Sequence, residues 1–194
     1  MSEHNKRQQQ AKVLRIARKL HRTTGALLFV FFFIIAITGL LLGWKKNSGG
    51  VLLAPTFQGT SADLKQWLPV DSLHTLANQF LLDSITPSLS TDVDRIDIRK
   101  DKGVVKFVYK DHYWALQLDG VTGKLLHKER RRADFIEHIH DGSLLDSLAG
   151  TSIGQIKLAY TTITGLALLL FTITGFWLWY GPKRFRATSN RHRQ

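Results

Sequence analysis

The sequence predicts a membrane-anchored protein: an α-helical hairpin of two transmembrane helices carrying one small α+β domain, a helix packed on an antiparallel sheet. Three observations predict it. Residues 25–44 and 158–182 contain no charged side chain, and each run is long enough to cross a hydrocarbon core of roughly 30 Å. Leu73, Leu76, Ala77, Phe80 and Leu81 recur at helical spacing between the two runs. From Val93 the period switches to two and stays there for three short segments separated by turn residues.

In chain order, residues 1–24 read as a basic amphipathic arm, with Val13, Ile16, Ala17 and Leu20 on one side and Arg15, Arg18, Lys19 and Arg22 on the other. The expectation is a helix lying on the membrane surface and feeding the first span, residues 25–44. That span is too long for a cleavable signal sequence, and Trp44-Lys45-Lys46 follows it as an interfacial anchor. Residues 45–132 form the α+β domain. Its opening stretch, 47–68, is loosely patterned and begins with the linker Asn47-Ser48-Gly49-Gly50. A helix then starts at Asp71. Strands follow around 93–100, 104–110 and 113–118, with turns at 101–103 and 110–112, and a short fourth strand at 125–127. Arg130-Arg131-Arg132 reads as a solvated charge run. Residues 133–154 read as an interfacial amphipathic segment, 155–181 as the second span and 182–194 as a basic tail.

The formal net charge is +12. The arm holds seven Lys or Arg against one acid, and the tail holds five against none. By the positive-inside rule both termini are expected in the cytoplasm of a bacterium, which places the protein in its inner membrane and the central domain in the periplasm. The same flanks name the lipid bilayer as the partner of the charge, so nucleic acid is not expected. The chain has no cysteine, which excludes thiol chemistry. No nucleophile elbow, zinc-protease helix or P-loop is present. The protein is therefore not expected to be an enzyme by itself.

Ile-Thr-Gly occurs twice, at 37–39 and 173–175, each time near the outgoing end of an apolar run. In an antiparallel hairpin Gly39 lies level with Gly165, and Gly25 with Gly175. Gly39-x-x-x-Gly43 is also a small-residue pair of the kind that lets helices approach in lipid. Gly25, Gly39, Gly43, Gly165 and Gly175 are thus expected to form a helix-packing seam, within one hairpin or between two chains.

Three readings of Asp134-Phe-Ile-Glu-His-Ile-His-Asp141 compete. On a helix Glu137, His138 and Asp141 share one polar face and are candidates for a divalent metal. His138 or His140 is a candidate axial ligand of haem. Or the stretch is an interfacial helix whose histidines only hydrogen-bond. His21 precedes the first span, so one haem cannot be held by both His21 and His140 of one chain.

Several stretches together resemble the PepSY-associated transmembrane family: Arg18-Lys19-Leu20-His21-Arg22 before the first span, the two Ile-Thr-Gly closures, and His138-Ile139-His140-Asp141-Gly142 before the second span. The central domain is similar to a PepSY domain, with Leu118-Asp119-Gly120-Val121-Thr122-Gly123-Lys124 as its turn. Larger members have four spans or more, and some are reductases acting with haem on ferric siderophores. The resemblance implies haem b as cofactor, His21, His138 and His140 as its candidate ligands, and an accessory role in iron or siderophore uptake or reduction. Having two spans, the chain is expected to form a homodimer or join a larger membrane complex. The rival expectations are a non-enzymatic periplasmic interaction or protease-regulatory module, and a scaffold subunit.

Overall fold

The computed structural model describes residues 3–151 and 154–191 and divides into two compact units. One comprises Met1–Gly39 with Ile139–Gln194; the other is Leu40–His138.

The first unit is built on two long helices. Helix α1 runs without a break over Glu3–Trp44, 42 residues, or about 63 Å at the α-helical rise. The arm and the first span are therefore one helix, not two joined at the surface. No glycine or proline stands before Gly25, and Gln, Lys, Arg, Ala and Leu dominate that stretch, so nothing interrupts the backbone ladder. Helix α5, Gln155–Arg191, likewise continues past the second apolar run and through Pro182. Both helices are long and apolar enough to cross a membrane. Their outward side chains, among them Leu27, Phe29, Leu40, Leu166 and Phe176, are more than half exposed, as lipid-facing positions are. His192 and the last two residues of the tail lie outside the described residues.

The expected amphipathic segment before the second span is two short helices. Helix α3, Arg132–His140, stops before Gly142, and helix α4, Ser143–Ala149, follows. Gly142 adopts φ 79°, a value that breaks the run. Asp146 then caps the start of α5, accepting from the backbone N–H of Ile156 and Lys157 and from the Thr151 hydroxyl.

The second unit is a four-stranded antiparallel sheet in the order β1-β2-β3-β4. The strands are Val93–Arg99, Val104–Tyr109, Trp114–Asp119 and Leu125–Arg130, so the short fourth strand is a full one. Helix α2, Val70–Ser84, lays Leu73, Ala77 and Leu81 on Val105, Phe107, Leu116 and Leu118. Phe107 faces Leu116 and Val105 faces Leu118 across β2 and β3. Each such side chain contributes roughly 1.5–3 kcal/mol when fully buried.

The other sheet face is buried too, and there polar side chains lie among Val104, Val108 and Ala115. Lys106, Gln117, Asp119 and Glu129 are each less than 8 % exposed. They are covered by the stretch read as loosely patterned. Ala54 N–H donates to Glu129, Phe57 N–H to Gln117, and Thr60 N–H and hydroxyl to Asp119. An extended segment with no strand partner must still satisfy its backbone, and here side chains of the sheet do so. The charge run also differs from expectation. Arg131 is buried and grips Asp134 with two hydrogen bonds of 2.8 Å, while Arg95 reaches the same carboxylate at 2.7 Å.

Candidate functional site

The repeated Ile-Thr-Gly has a specific use in the first unit: each copy receives a histidine from elsewhere in the chain. On α1, Thr38 donates its hydroxyl to the Ile34 carbonyl at 2.7 Å, one turn back in its own helix. The same oxygen lies 2.8 Å from His140 Nδ1. A Cβ on Gly39 would stand 3.4 Å from His140 Cε1, so the missing side chain lets the imidazole lie close against the helix.

The second station repeats these parts on α5. Thr174 donates back to the Leu170 carbonyl at 2.8 Å. His21 Nδ1 lies 3.1 Å from Thr174 Oγ1 and 3.2 Å from the Phe171 carbonyl oxygen. A Cβ on Gly175 would stand 3.3 Å from His21 Cε1. Phe171 stacks on the His21 ring with centroids 3.9 Å apart. Gly25 makes room for that phenyl ring, since a Cβ there would lie 3.0 Å from it.

The exchange is reciprocal. The histidine that precedes the first span rests on the Thr-Gly of the second, and the histidine that precedes the second span rests on the Thr-Gly of the first. His21 and Thr38 are 17 residues apart on α1, which sets the stations about 25 Å apart along the helix. Two imidazoles therefore stand at the two ends of the apolar stretch. Among the described residues, neither Nε2 makes a hydrogen bond.

Between the two helices, beside His140, lies a cavity of about 380 Å³, within the roughly 300–1,000 Å³ of small-ligand pockets. Its walls include Phe32, Ala36, Tyr160, Thr164 and Gly165. Gly165 thus faces a space rather than a neighbouring helix, and among the described residues no atom beyond the adjoining helix backbone stands within 4 Å of where a Cβ on Gly165 or Gly43 would be. Of the five glycines read as a packing seam, Gly25, Gly39 and Gly175 touch histidine or the ring stacked on it, and Gly43 and Gly165 touch no partner. Among the described residues, Thr164 bonds only back to its own helix, at the Tyr160 and Thr161 carbonyls.

The candidate metal ligands are not gathered. In the second unit Glu137 lies 3.8 Å from Lys45, and His138 Nδ1 lies 2.9 Å from the Tyr113 hydroxyl. In the first unit Asp141 is beyond the end of α3, accepting from Ser143 and from Lys157. Among the described residues, no three His, Asp or Glu side chains are close enough to share a metal ion. His138 is also set apart from the two stations by its partner. Tyr113 holds φ 59°, a strained value for a bulky residue, and Arg131 N–H donates to its carbonyl at 2.7 Å.

Sequence reasoning marked Thr174 only as a member of the repeated Ile-Thr-Gly, did not single out Phe171, and marked Thr38 likewise only within that repeat. Their histidine partners are 153, 150 and 102 residues distant, so no local period marks them. The available signal was the Thr-Gly pair itself, placed one membrane thickness from a histidine in each half. One further group belongs here. Trp177 Nε1 is a buried N–H with no acceptor, three residues after Thr174 and so on the same side of α5.

The donor set fits a haem. Each imidazole is fixed through Nδ1, which leaves Nε2 as the ligating atom. An apolar cavity adjoins one station, and an unmatched indole N–H lies near the other.

A family model described as PepSY-associated TM region matches residues 18–194, a stretch that includes both stations and the sheet between them. No curated protein matches the chain.

Proposed function

The chain belongs to the PepSY-associated transmembrane family, and from that membership and the two stations we propose that it is a haem-binding accessory protein of the bacterial inner membrane. The observation that carries the reading is the pair of imidazoles, each held through Nδ1 by a Thr-Gly step and each with Nε2 outside these contacts. Haem b would be held by His21 at one station and His140 at the other. When bound, it supplies a one-electron carrier at each membrane face.

The residues of the chain bind and orient. Thr38 and Thr174 fix the rings, Gly39 and Gly175 let them approach the helices, and the apolar walls beside His140 exclude water. Each station offers one histidine per chain. A second copy of the chain, or another subunit of a larger membrane complex, would supply a further histidine. With both termini cytoplasmic and the sheet domain periplasmic, as the basic flanks support, His21 would hold its group toward the cytoplasmic face and His140 toward the periplasmic face, in an accessory role to the uptake or reduction of ferric siderophores. The test is a reduced-minus-oxidised absorbance spectrum of the purified protein from haem-replete cells. Sharp reduced bands that shift in His21→Ala and His140→Ala support the reading, and a protein without haem refutes it.

A second reading has one observation in its favour. Strand β1 is an edge of the sheet, and its Ile96 and Ile98 are 40 % and 52 % exposed. An edge of this kind suits addition of a strand from a peptide or partner protein. Deleting residues 70–128 without loss of any co-purifying partner would count against it.

A further inference from the structure

We propose that Thr38 and Thr174 set the tautomer of the two histidines, holding each neutral imidazole with its proton on Nδ1 so that Nε2 presents a lone pair. The ligand such a lone pair would serve rests on the haem reading above; the tautomer itself does not.

The assignment follows from counting protons. A threonine hydroxyl has one hydrogen to give and can accept besides. Thr38 gives its hydrogen to the Ile34 carbonyl at 2.7 Å, with the Ile35 carbonyl 3.2 Å away. Toward His140 Nδ1, at 2.8 Å, the hydroxyl is then an acceptor only, and the hydrogen of that contact belongs to the imidazole. At the second station a different atom compels the same result. His21 Nδ1 lies 3.2 Å from the Phe171 carbonyl oxygen, which can only accept. Thr174, whose hydrogen goes to Leu170, accepts as well. One acceptor at the first station and two at the second thus put the proton on the same nitrogen of each ring.

The carboxylate next to His140 does not compete. Asp141 is committed to the Ser143 N–H and hydroxyl and to the Lys157 ammonium. A neutral imidazole has one proton to place between its two ring nitrogens. The glycine after each threonine leaves the ring its place: a Cβ there already stands 3.4 Å from Cε1 at Gly39 and 3.3 Å at Gly175, so a side chain extending beyond Cβ toward the ring would press on it.

The experiment is ring nitrogen-15 NMR of the full-length, haem-free chain in detergent at alkaline pH, where imidazole is neutral. His21 and His140 are assigned from the His21→Asn and His140→Asn variants. Both are expected to show a protonated Nδ1 and an unprotonated Nε2. Thr38→Val removes the acceptor of His140 and should move that ring to a mixture or to the opposite tautomer, while Thr38→Ser restores it. Thr174→Val should shift His21 less, because the Phe171 carbonyl remains. A wild type with the proton on Nε2, or a Thr38→Val variant with His140 unchanged, overturns the proposal. Should Thr38→Val fail to fold, the wild-type spectrum and Thr38→Ser still decide it.

Haem titration separates this from the reading it rests on. Loss of an outer partner of a ligating histidine weakens binding roughly 10–100-fold, and Thr38→Val should do so where Thr38→Ser does not. A chain that binds no haem yet shows the Nδ1–H tautomer and its dependence on Thr38 keeps the tautomer assignment and discards haem. A chain that binds haem through rings protonated on Nε2 before loading does the reverse.

Discussion

Replacing Lys106 by Met should cost the sheet domain more than any other single change on its polar face. Lys106 Nζ donates to Glu129 at 2.7 Å, and both side chains are only 6 % exposed. The other oxygen of Glu129 accepts from Ala54 N–H, which ties the covering segment to the sheet. Lys106→Met therefore leaves a buried carboxylate with one neutral donor. Breaking a buried pair on one side costs roughly 3–5 kcal/mol, because the remaining charge has lost its counter-ion and cannot reach water. The assay is amide hydrogen exchange of the β2 segment Val104–Tyr109, which reports on this unit whatever the detergent does to the spans. Exchange through unfolding of the unit should accelerate on the order of 10²–10⁴-fold. Lys106→Met with Glu129→Leu removes both charges and strands only the Ala54 N–H, a loss of about 1–3 kcal/mol. The double variant should thus be more stable than the single one. An acceleration under tenfold in Lys106→Met, or a double variant worse than the single, would refute the assignment of a desolvated pair.

Three other outcomes are expected. For Asp134, burial alone would raise the carboxyl pKa, and the hydrogen bonds and charges of Arg131 and Arg95 outweigh it and hold the pKa below the usual value. A lowered folded-state pKa means stability that is present above the unfolded value of about 3.9 and is lost as pH falls through the folded one. Asp134→Asn should therefore be less stable than wild type at pH 7, and urea midpoints of the two should converge as pH falls below about 4; a constant gap would contradict this. Asp146→Ala removes the cap of α5, and exchange at Ile156 and Lys157 should quicken about tenfold, as loss of an N-cap does, with the middle of α5 unchanged. Gly39→Leu and Gly175→Leu should each displace the facing histidine and reduce bound haem by more than half, while Gly43→Leu, with nothing within 4 Å of its Cβ position, should leave it unaltered. Equal losses in Gly39→Leu and Gly43→Leu would return the motif to helix packing.

The parts legible in the sequence are those whose cause is local. Two uncharged runs give two long helices. The period of two gives β1, β2 and β3, and the spacing of Leu73, Ala77 and Leu81 gives the face of α2 that meets them. Leu125–Arg130 was legible only in its first half, because Lys128, Glu129 and Arg130 look like a solvated turn. In fact Glu129 points inward to Lys106. Lys106 itself looks like the outward residue of a half-buried strand, and nothing along β2 indicates that the far face is covered. The cover at 52–60 is invisible to periodicity because its backbone bonds end on side chains 59 to 75 residues away. The stations fail for the same reason, over longer distances. His21, His138 and His140 could be picked out as polar residues beside apolar runs, but their partners could not. His138 turns to Tyr113 and His140 to Thr38, although the two stand two residues apart.

The recurrence of Ile-Thr-Gly follows from what lipid withholds. Hydrocarbon chains are as apolar as leucine, so nothing drives two such helices together through their side chains alone. What fixes them is a polar group that must find its partner or remain unsatisfied in a medium without water. A histidine before one span and a Thr-Gly step near the outgoing end of the other meet that need at one depth. An antiparallel pair has a second such depth at its opposite end, and the same solution used again there gives two copies of one motif, each serving the other half of the chain. The structural requirement leaves Nε2 of each ring over, since a threonine acceptor engages only Nδ1. Joining the helices and presenting a ring nitrogen at each end of the apolar stretch are then consequences of the same few contacts at each station, which is why a substitution at Thr38 or Gly39 is expected to disturb both together.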